Sequence, residues 1–305
     1  MKKLPKVIFL GSKRLGLSCL KEMYAISPDV LEAAITIDDS SDTRTVLNDF
    51  KLFCTSKKIP FFVAKNRKHS EELVRTLNPD IGIVIGWYWL ISSDIIHSAK
   101  FIGLHNSLLP RYRGVSPLNW AIIHGEKKVG ISLFTLTDTM DAGDIWAQRT
   151  VDVGEHDYIG DVLSAIEKEG IEVIQSVYES ILLDRIKPTP QNHAQASFCV
   201  ARTPEDGLIN WDQHSKNIYN FIRAQSKPYP GAFTYVDGKK VTIWKAAYSD
   251  VDHFGVPGQV CRITEEGIWV ACADYKALIL QDIELEGDTS NANMVISYKT
   301  KFKNE

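Results

Sequence analysis

Residues 101–110 read FIGLHNSLLP, an apolar run followed by a histidine, two polar residues, two leucines and a proline. The run from Phe101 to Leu104 predicts a short strand, which would carry His105 to the carboxyl end of a sheet. Pro110 then directs the chain into a turn over that end. Because open α/β folds place their chemistry at the carboxyl ends of their strands, His105 is the first candidate for a functional residue.

The first half of the chain repeats this alternation of apolar runs and helical stretches, which is typical of a parallel sheet flanked by helices. Strands are predicted at residues 7–10, 33–37, 61–63, 81–85, 101–104 and 131–136. Helices are predicted at residues 15–24, 43–57, 70–77, 92–99, 117–124 and roughly 159–183. The expected fold class of this part is therefore α/β, with a Rossmann-like parallel sheet.

A smaller, β-rich domain is expected to follow. Residues 184–193 interrupt the helical periodicity with two prolines and are interpreted as part of a linker. Beyond them the sequence predicts a helix at residues 215–224 and strands separated by turn signals such as Asp237-Gly238 and Glu266-Gly267. We expect a first domain at residues 1–185, a linker at 186–202 and a C-terminal domain at 203–305, whose pattern is compatible with an OB-like barrel.

Composition limits the class of protein. The 305 residues are enough for two domains with separate cores. With 44% hydrophobic and 24% charged residues, the chain is neither disordered nor fibrous, and its net charge of −3 gives no overall attraction to polyanions. Five cysteines occur without a CxxC pair, so we expect no metal site and no disulfide framework. Without an apolar segment of membrane-spanning or signal-peptide length, a cytoplasmic protein with no membrane partner is expected.

A later acid could orient the imidazole of His105. Asp141 begins the turn Asp141-Ala142-Gly143-Asp144. A carboxylate beside an imidazole fixes its tautomer, and the pair can stabilise an oxyanion or carry a proton. Together the two side chains indicate acyl transfer, and no covalent nucleophile stands in a matching context.

The region around His105 resembles the signature of the formyltransferases that use N10-formyltetrahydrofolate. In that family the signature reads Asn-x-His-x-Ser-Leu-Leu-Pro and is followed by an Asp in an Asp-(Ala/Thr/Gly)-Gly loop. Here His105, residues 107–110 and residues 141–143 match it, and the resemblance covers nearly the whole chain. It implies that residues 1–185 form the catalytic domain, that N10-formyltetrahydrofolate is the co-substrate, and that His105 and Asp141 are catalytic.

The resemblance also implies binding residues. In the family the pterin is held largely by main-chain groups after a buried strand and before the catalytic Asp. The matching residues here are Gly86, Trp87, Tyr88, Asp138, Thr139 and Met140. The residues expected to contact substrate are Ser107, Arg113, Lys13 and Arg14. Two alternatives remain open, because the aromatic residues could simply cap the sheet edge and residues 11–14 could form an ordinary turn between a strand and a helix.

Two branches of this family differ in the amine that they formylate, which is either methionyl-tRNA or a nucleotide-linked amino sugar. The tRNA branch usually has a basic loop after the second strand, whereas residues 37–44 of this chain read IDDSSDTR. Affinity for nucleic acid depends on positive charges that neutralise phosphates. Residues 201–305 contain 12 Lys and Arg against 14 Asp and Glu, which gives this domain a net charge of −2. These features favour a nucleotide-linked amino sugar over tRNA as the acceptor. A homodimer is possible, but the sequence does not determine the oligomeric state.

Gly103 stands where the family has Asn, whose side chain donates a hydrogen bond to the formyl oxygen. One oxyanion donor is worth about 10²–10³ in rate. A weakly catalytic or non-catalytic relative that binds folate or nucleotide sugar therefore remains an alternative. Asn106 is not a simple substitute, because alternation along a strand would point it away from the face of His105.

Overall fold

The computed structural model describes residues 4–287 and 296–303. The chain divides into two compact units. The first comprises Met1–Pro117, Lys128–Asp152 and Leu163–Cys199, and the second comprises Leu118–Lys127, Val153–Val162 and Val200–Glu305.

The strands are β1 (Val7–Gly11), β2 (Leu31–Ile37), β3 (Phe61–Ala64), β4 (Ile81–Ile85), β5 (Lys100–His105), β6 (Arg113–Gly114), β7 (Lys128–Thr135), β8 (Ile145–Asp152), β9 (Phe198–Cys199), β10 (Ala232–Val236), β11 (Lys239–Ser249), β12 (Val260–Thr264), β13 (Gly267–Ala271) and β14 (Ala277–Leu285). The α-helices are α1 (Lys13–Ile26), α2 (Leu47–Lys57), α3 (Arg67–Leu77), α4 (Ser93–Ile96), α5 (Pro117–Ile123), α6 (Ile159–Leu182) and α7 (Ser215–Gln225). Among the described residues, no helix has both the length and the hydrophobicity needed to cross a membrane.

A seven-stranded sheet forms the centre of the first unit, in the order β3-β2-β1-β4-β5-β7-β8. The strands from β3 to β5 are parallel, whereas β7 is antiparallel to both of its neighbours. Strands β1 and β4 are buried along their whole length, as expected at the centre of a sheet covered on both faces. The predicted α/β class with a parallel sheet is confirmed. Strand order reverses between β1 and β4, the position where such sheets bind ligands.

Every strand predicted in this part is present, but β8 was missed. Its residues are mostly exposed or half-buried, because it is the edge strand of the sheet, and IWAQRTVD shows no regular apolar alternation. Two predicted helices were too long. The helix expected at residues 43–57 begins at Leu47, and the one expected at 92–99 is the single turn Ser93–Ile96.

In the second unit, helix α7 accompanies a five-stranded antiparallel sheet in the order β10-β11-β14-β13-β12. Asp237 and Gly238 form the predicted hairpin turn between β10 and β11, where their φ values are 49° and 76°. Trp211 is buried, stacks on Phe302 with ring centroids 5.6 Å apart, and donates its indole N–H to Thr234. The β-rich C-terminal part is confirmed, and the OB-like barrel stays a prediction.

The segment predicted as a linker, residues 186–202, is attached to the first unit as far as Cys199. Thr189 exchanges two main-chain hydrogen bonds of 2.8 Å with Ile145, and strand β9 pairs in parallel with β6. The helix ends at Leu182, before the two prolines, and the segment that contains them is not a free connection.

The loop after β5 is anchored to the sheet by one hydroxyl group. Ser132 on β7 lies opposite His105 and is fully buried. Its Oγ accepts from the Leu109 N–H at 3.1 Å and from Gln148 Nε2 at 2.8 Å, and it donates to the Ser107 carbonyl at 2.6 Å. This hydroxyl satisfies buried main-chain groups of the loop that carries the SLLP residues.

We expect Ser132→Ala to lower the free energy of unfolding by roughly 1–3 kcal/mol, because it leaves buried polar groups without partners. Urea denaturation followed by circular dichroism would measure the change. Ser56→Ala, on an exposed face of α2, is the matched control. A Ser132 variant as stable as the control would contradict the anchoring role.

Candidate active site

His105 is the last residue of β5, and Asp141 lies in the loop between β7 and β8. Asp141 Oδ2 is 3.7 Å from His105 Nδ1, and the two side chains are 16% and 10% exposed. The structure thus brings together the two residues that the sequence singled out. Their partial burial strengthens the electrostatic interaction between them, because little water screens it.

The loop that carries Asp141 is held in a narrow range of conformations. Asp141 has a φ of 52°, in the left-handed region that residues other than glycine rarely adopt. Its Oδ2 accepts a hydrogen bond of 2.7 Å from the main-chain N–H of Gly114. At Gly143 an added Cβ would lie 1.9 Å from the Thr135 carbonyl oxygen, so only glycine fits. The Asp-x-Gly pattern is therefore a requirement of the loop's geometry.

The second ring nitrogen of His105 also has a protein partner. Nε2 lies 2.8 Å from the main-chain oxygen of Tyr112. Because a carbonyl only accepts, Nε2 carries a hydrogen in this arrangement. In the doubly protonated imidazolium, both nitrogens would face an acceptor, one the Tyr112 carbonyl and the other the Asp141 carboxylate. The site can therefore accommodate the proton that acyl transfer has to move.

Cys199, on β9, does not provide a nucleophile beside this pair. Burial, followed by the negative charge of Asp141, raises the pKa of its thiol to about 11. The thiol is therefore protonated at neutral pH, and thiols react as nucleophiles only when deprotonated.

The structure explains how Gly103 is accommodated. An added Cβ would lie 2.8 Å from Leu136 Cδ2 and 3.0 Å from Phe134 Cε1, so apolar side chains fill the space that a larger residue would need. Gly103 and His105 lie two residues apart on β5 and share a face of the sheet. On the other side of His105 in sequence, the buried Asn106 Oδ1 has no hydrogen-bond partner among the described residues.

We expect Gly103→Ala to destabilise the protein by about 1–3 kcal/mol, because the new methyl group overpacks the contact with Leu136. Leu136→Ala should relieve this contact. The double variant should therefore lose less free energy of unfolding than the sum of the losses in the two single variants. Thermal and urea unfolding of the three variants form the double-mutant cycle. Additive losses would show that the methyl group meets no resistance from Leu136.

The first residues expected to hold the pterin follow β4. Gly86 has a φ of 66°, and its carbonyl accepts a hydrogen bond from the Ser12 hydroxyl. Trp87 packs edge to face with Trp89 at 5.4 Å and against a buried hydrophobic cluster. These contacts support the alternative that Trp87 caps the sheet edge. Tyr88 is 52% exposed.

The other expected pterin residues lie before Asp141 and are accessible. Asp138 pairs with His97 Nε2 at 3.1 Å on the surface, and Met140 is exposed. The main-chain oxygen of Thr139 accepts from the Thr137 hydroxyl at 3.0 Å.

Lys13 follows β1 and is already bound by two carboxylates. Its Nζ lies 2.6 Å from Asp39 and 2.8 Å from Asp42. Burial lowers the pKa of Lys13, but the hydrogen bonds to both carboxylates outweigh it and leave the pKa above its ordinary value. The guanidinium of Arg44 holds the pKa of Asp42 well below its usual range. Arg14 is 80% exposed and pairs with Glu167 at 3.2 Å.

A phosphate at Lys13 would therefore have to displace a carboxylate, and the role of Lys13 and Arg14 in contacting substrate stays a prediction.

Ser107 and Arg113, also expected to contact substrate, are both 3% exposed. The Ser107 hydroxyl donates to the Arg111 carbonyl at 2.7 Å, and Arg113 Nη2 donates to Gln191 Oε1 at 2.6 Å and to His193 Nδ1 at 2.9 Å. Their observed partners are protein groups, so the structure gives these two side chains a supporting position instead of an accessible one.

Sequence reasoning missed the main-chain partners of the pair, the Gly114 N–H and the Tyr112 carbonyl, since main-chain groups leave no mark in the residue pattern. It also missed Gln191, which stands between prolines and polar residues without any signal of burial. Within the described residues, no group of three or more His, Cys, Asp or Glu side chains is placed to hold a metal ion.

Comparison with known proteins places these features in a family. Residues 45–178 match the family model "Formyl transferase", and residues 202–296 match "Formyl transferase, C-terminal domain". The bifunctional polymyxin resistance protein ArnA of Wigglesworthia glossinidia brevipalpis is 34% identical over 304 residues, covering 95% of this chain and 46% of that protein. The chain thus spans about half the length of that relative.

Two further proteins are similar to this chain over almost the full length of both sequences. The methionyl-tRNA formyltransferase of Caldanaerobacter subterraneus subsp. tengcongensis is 31% identical over 292 residues, covering 92% of this chain and 93% of that protein. The N-formyltransferase of Helicobacter canadensis, solved in complex with folinic acid and dTDP-3-aminofucose, has the same fold, with a TM-score of 0.70, 19% identity and coverage of 90% of this chain and 98% of that one. From these matches and the two family models, we conclude that the chain belongs to the formyl transferase family.

Proposed function

We propose that this chain transfers a formyl group from N10-formyltetrahydrofolate to the amine of a nucleotide-linked amino sugar. The observation that carries the proposal is the partly buried pair of His105 and Asp141 at the carboxyl end of β5, in a chain of the formyl transferase family. The two side chains supply the acid–base function that transfer to an amine requires.

The reaction forms one carbon–nitrogen bond, breaks another, and moves one proton between the two nitrogens. The neutral amine of the acceptor attacks the formyl carbon, the bond from that carbon to N10 breaks, and one proton passes from the amine to N10. His105 would donate to the developing oxyanion or carry this proton, with Asp141 stabilising the imidazolium. For either role, Nε2 has to exchange the Tyr112 carbonyl for the substrate. The hydrogen bonds of a catalytic group often reach their working geometry only when substrate is bound.

The co-substrate would lie against the loops that follow β4 and precede Asp141. Main-chain groups of residues 86–88 and 138–140 are the proposed pterin contacts, and side chains of this region leave the loops open, since Tyr88 and Met140 are 52% and 47% exposed. This assignment rests on the family resemblance. It gives Trp87 a packing role and leaves recognition to the backbone.

A cleft of about 760 Å³ has the size of a small-molecule site, since ligand sites typically measure about 300–1,000 Å³. It lies in the first unit and is lined by Ile37, Asp38, Asp39, Ser41, Asp42, Val63, Ala64, Lys65, Tyr88 and Trp89. Its acidic side chains suit sugar hydroxyl groups, which can donate hydrogen bonds to them.

Two other functions have specific observations behind them. Methionyl-tRNA formyltransferase is the name of a relative 31% identical over nearly its full length. A weakly catalytic or non-catalytic relative, which binds folate or nucleotide sugar, is favoured by Gly103, whose surroundings leave no space for the family's Asn without rearrangement.

We expect tetrahydrofolate release when the protein is incubated with N10-formyltetrahydrofolate and a panel of dTDP- and UDP-linked amino sugars. Methionyl-tRNA should be a poor acceptor, because residues 201–305 carry a net charge of −2 and provide no overall attraction for a long polyanionic backbone. Efficient tRNA formylation that falls steeply with salt would establish the tRNA function instead. Binding of folate and nucleotide sugar without turnover would support the non-catalytic alternative.

His105→Ala and Asp141→Asn should each reduce kcat by about 10²–10⁴-fold, the usual contribution of a positioned acid or base. Asp141→Asn keeps the shape of the side chain and His105→Ala shortens a side chain at the end of a strand, so folding should persist and circular dichroism should be unchanged. His253→Ala removes a histidine of the second unit whose Nδ1 lies 2.9 Å from the Val251 main-chain oxygen, and it serves as the control. Near-normal turnover in both site variants would end the catalytic assignment.

A further inference from the structure

Gln191 lies in the segment after α6, and its side-chain amide forms three hydrogen bonds in the first unit. Nε2 donates to the main-chain oxygens of Asp141, at 2.9 Å, and of Gly143, at 2.7 Å. Oε1 accepts from Arg113 Nη2 at 2.6 Å. The orientation of the amide is fixed by these partners, since carbonyls only accept and a guanidinium only donates.

Burial makes these bonds strong and their loss costly. Gln191 is 6% exposed and Arg113 is 3% exposed. Arg113 is itself held, because it lies on β6, which pairs with β9, and its Nη2 also donates to His193. A buried donor or acceptor without a partner costs about 1–3 kcal/mol, so the three partners of Gln191 constrain one another.

These contacts act on a strained residue. Asp141 has a φ of 52°, which costs energy for a residue other than glycine and persists only where its surroundings impose it. Gln191 fixes the main chain on both sides of Ala142 while the Gly114 N–H fixes the carboxylate. The carboxylate therefore has one defined position relative to His105 Nδ1.

We infer that Gln191 is a positioning residue for Asp141, and that Arg113 supports it by fixing the amide. Gln191 touches neither His105 nor, in the proposed reaction, any substrate. It acts by holding the Asp141 main chain in the conformation that places Oδ2 3.7 Å from His105 Nδ1. The inference rests on the proposed catalytic role of Asp141.

The decisive variant is Gln191→Glu, which keeps the size of the side chain and an acceptor for Arg113. It removes both donors and directs a carboxylate oxygen at two carbonyl oxygens. We expect kcat to fall by about 10²-fold with little change in the KM for N10-formyltetrahydrofolate, since small displacements of catalytic groups have effects of this size. In a protein that already carries Asp141→Asn, the same substitution should not lower kcat further, because its effect on kcat depends on the Asp141 carboxylate.

Gln225→Glu is the matched control. Gln225 is also 6% exposed, its Oε1 accepts from Arg202 Nη2 at 2.9 Å, and its Nε2 donates to the Phe221 carbonyl at 3.3 Å. The control substitution therefore breaks a similar buried arrangement in the second unit. We expect it to lower stability while kcat stays within about twofold, as expected for a change that does not touch transition-state contacts.

A readout independent of turnover is the ¹⁵N spectrum of the His105 imidazole, which reports whether Nδ1 faces a carboxylate. In Gln191→Glu it should move toward the spectrum of Asp141→Asn, whereas in Gln225→Glu it should match that of the unaltered protein. Gln191→Met removes the three hydrogen bonds without adding a charge and gives the same comparison if Gln191→Glu does not fold.

An unchanged His105 spectrum and kcat in the Gln191 variants would overturn the inference, as would an equal loss of kcat in the Asp141→Asn background. The failure of the proposed function has a different signature. In that case Asp141→Asn itself would keep full turnover, or no acceptor would be formylated, while the spectra would still show whether Gln191 positions the carboxylate.

Discussion

The hydrogen bond from the Gly114 N–H to the Asp141 carboxylate joins the two loops that build the site. One loop leaves β5 after His105, and the other connects β7 to β8. Each loop is secured separately, the first by the buried Ser132 hydroxyl and the second by the Gln191 amide. The bond between them determines how closely an acid approaches an imidazole, so the chemistry depends on main-chain geometry that two distant polar side chains maintain.

The parts of the fold that depend on periodicity could be predicted from the sequence. Buried parallel strands such as β1 and β4 are continuous apolar runs, and His105 follows such a run directly. The edge strand β8 could not be predicted in this way, because neither of its faces is consistently buried. Likewise, the helix predicted at residues 92–99 is only the single turn Ser93–Ile96, since the residue pattern did not indicate where the helix ends.

The candidate site was predictable only in its side chains with distinctive chemistry. His105 and Asp141 stood out because their residue types and spacing match a known signature, and the structure places them side by side. Their supports did not stand out. A glutamine between prolines or a serine within a strand is ordinary in sequence, and only three-dimensional contacts reveal that each satisfies several buried groups. Likewise, nothing in the residue pattern indicated that two aspartates bind Lys13.

The apolar filling beside Gly103 links two positions that are far apart in sequence. Leu136 occupies the space into which a side chain at position 103 would extend. The cost of a side chain at position 103 therefore depends on which residue occupies position 136. Among relatives, residues at these positions should covary in size, with a smaller side chain opposite every Asn.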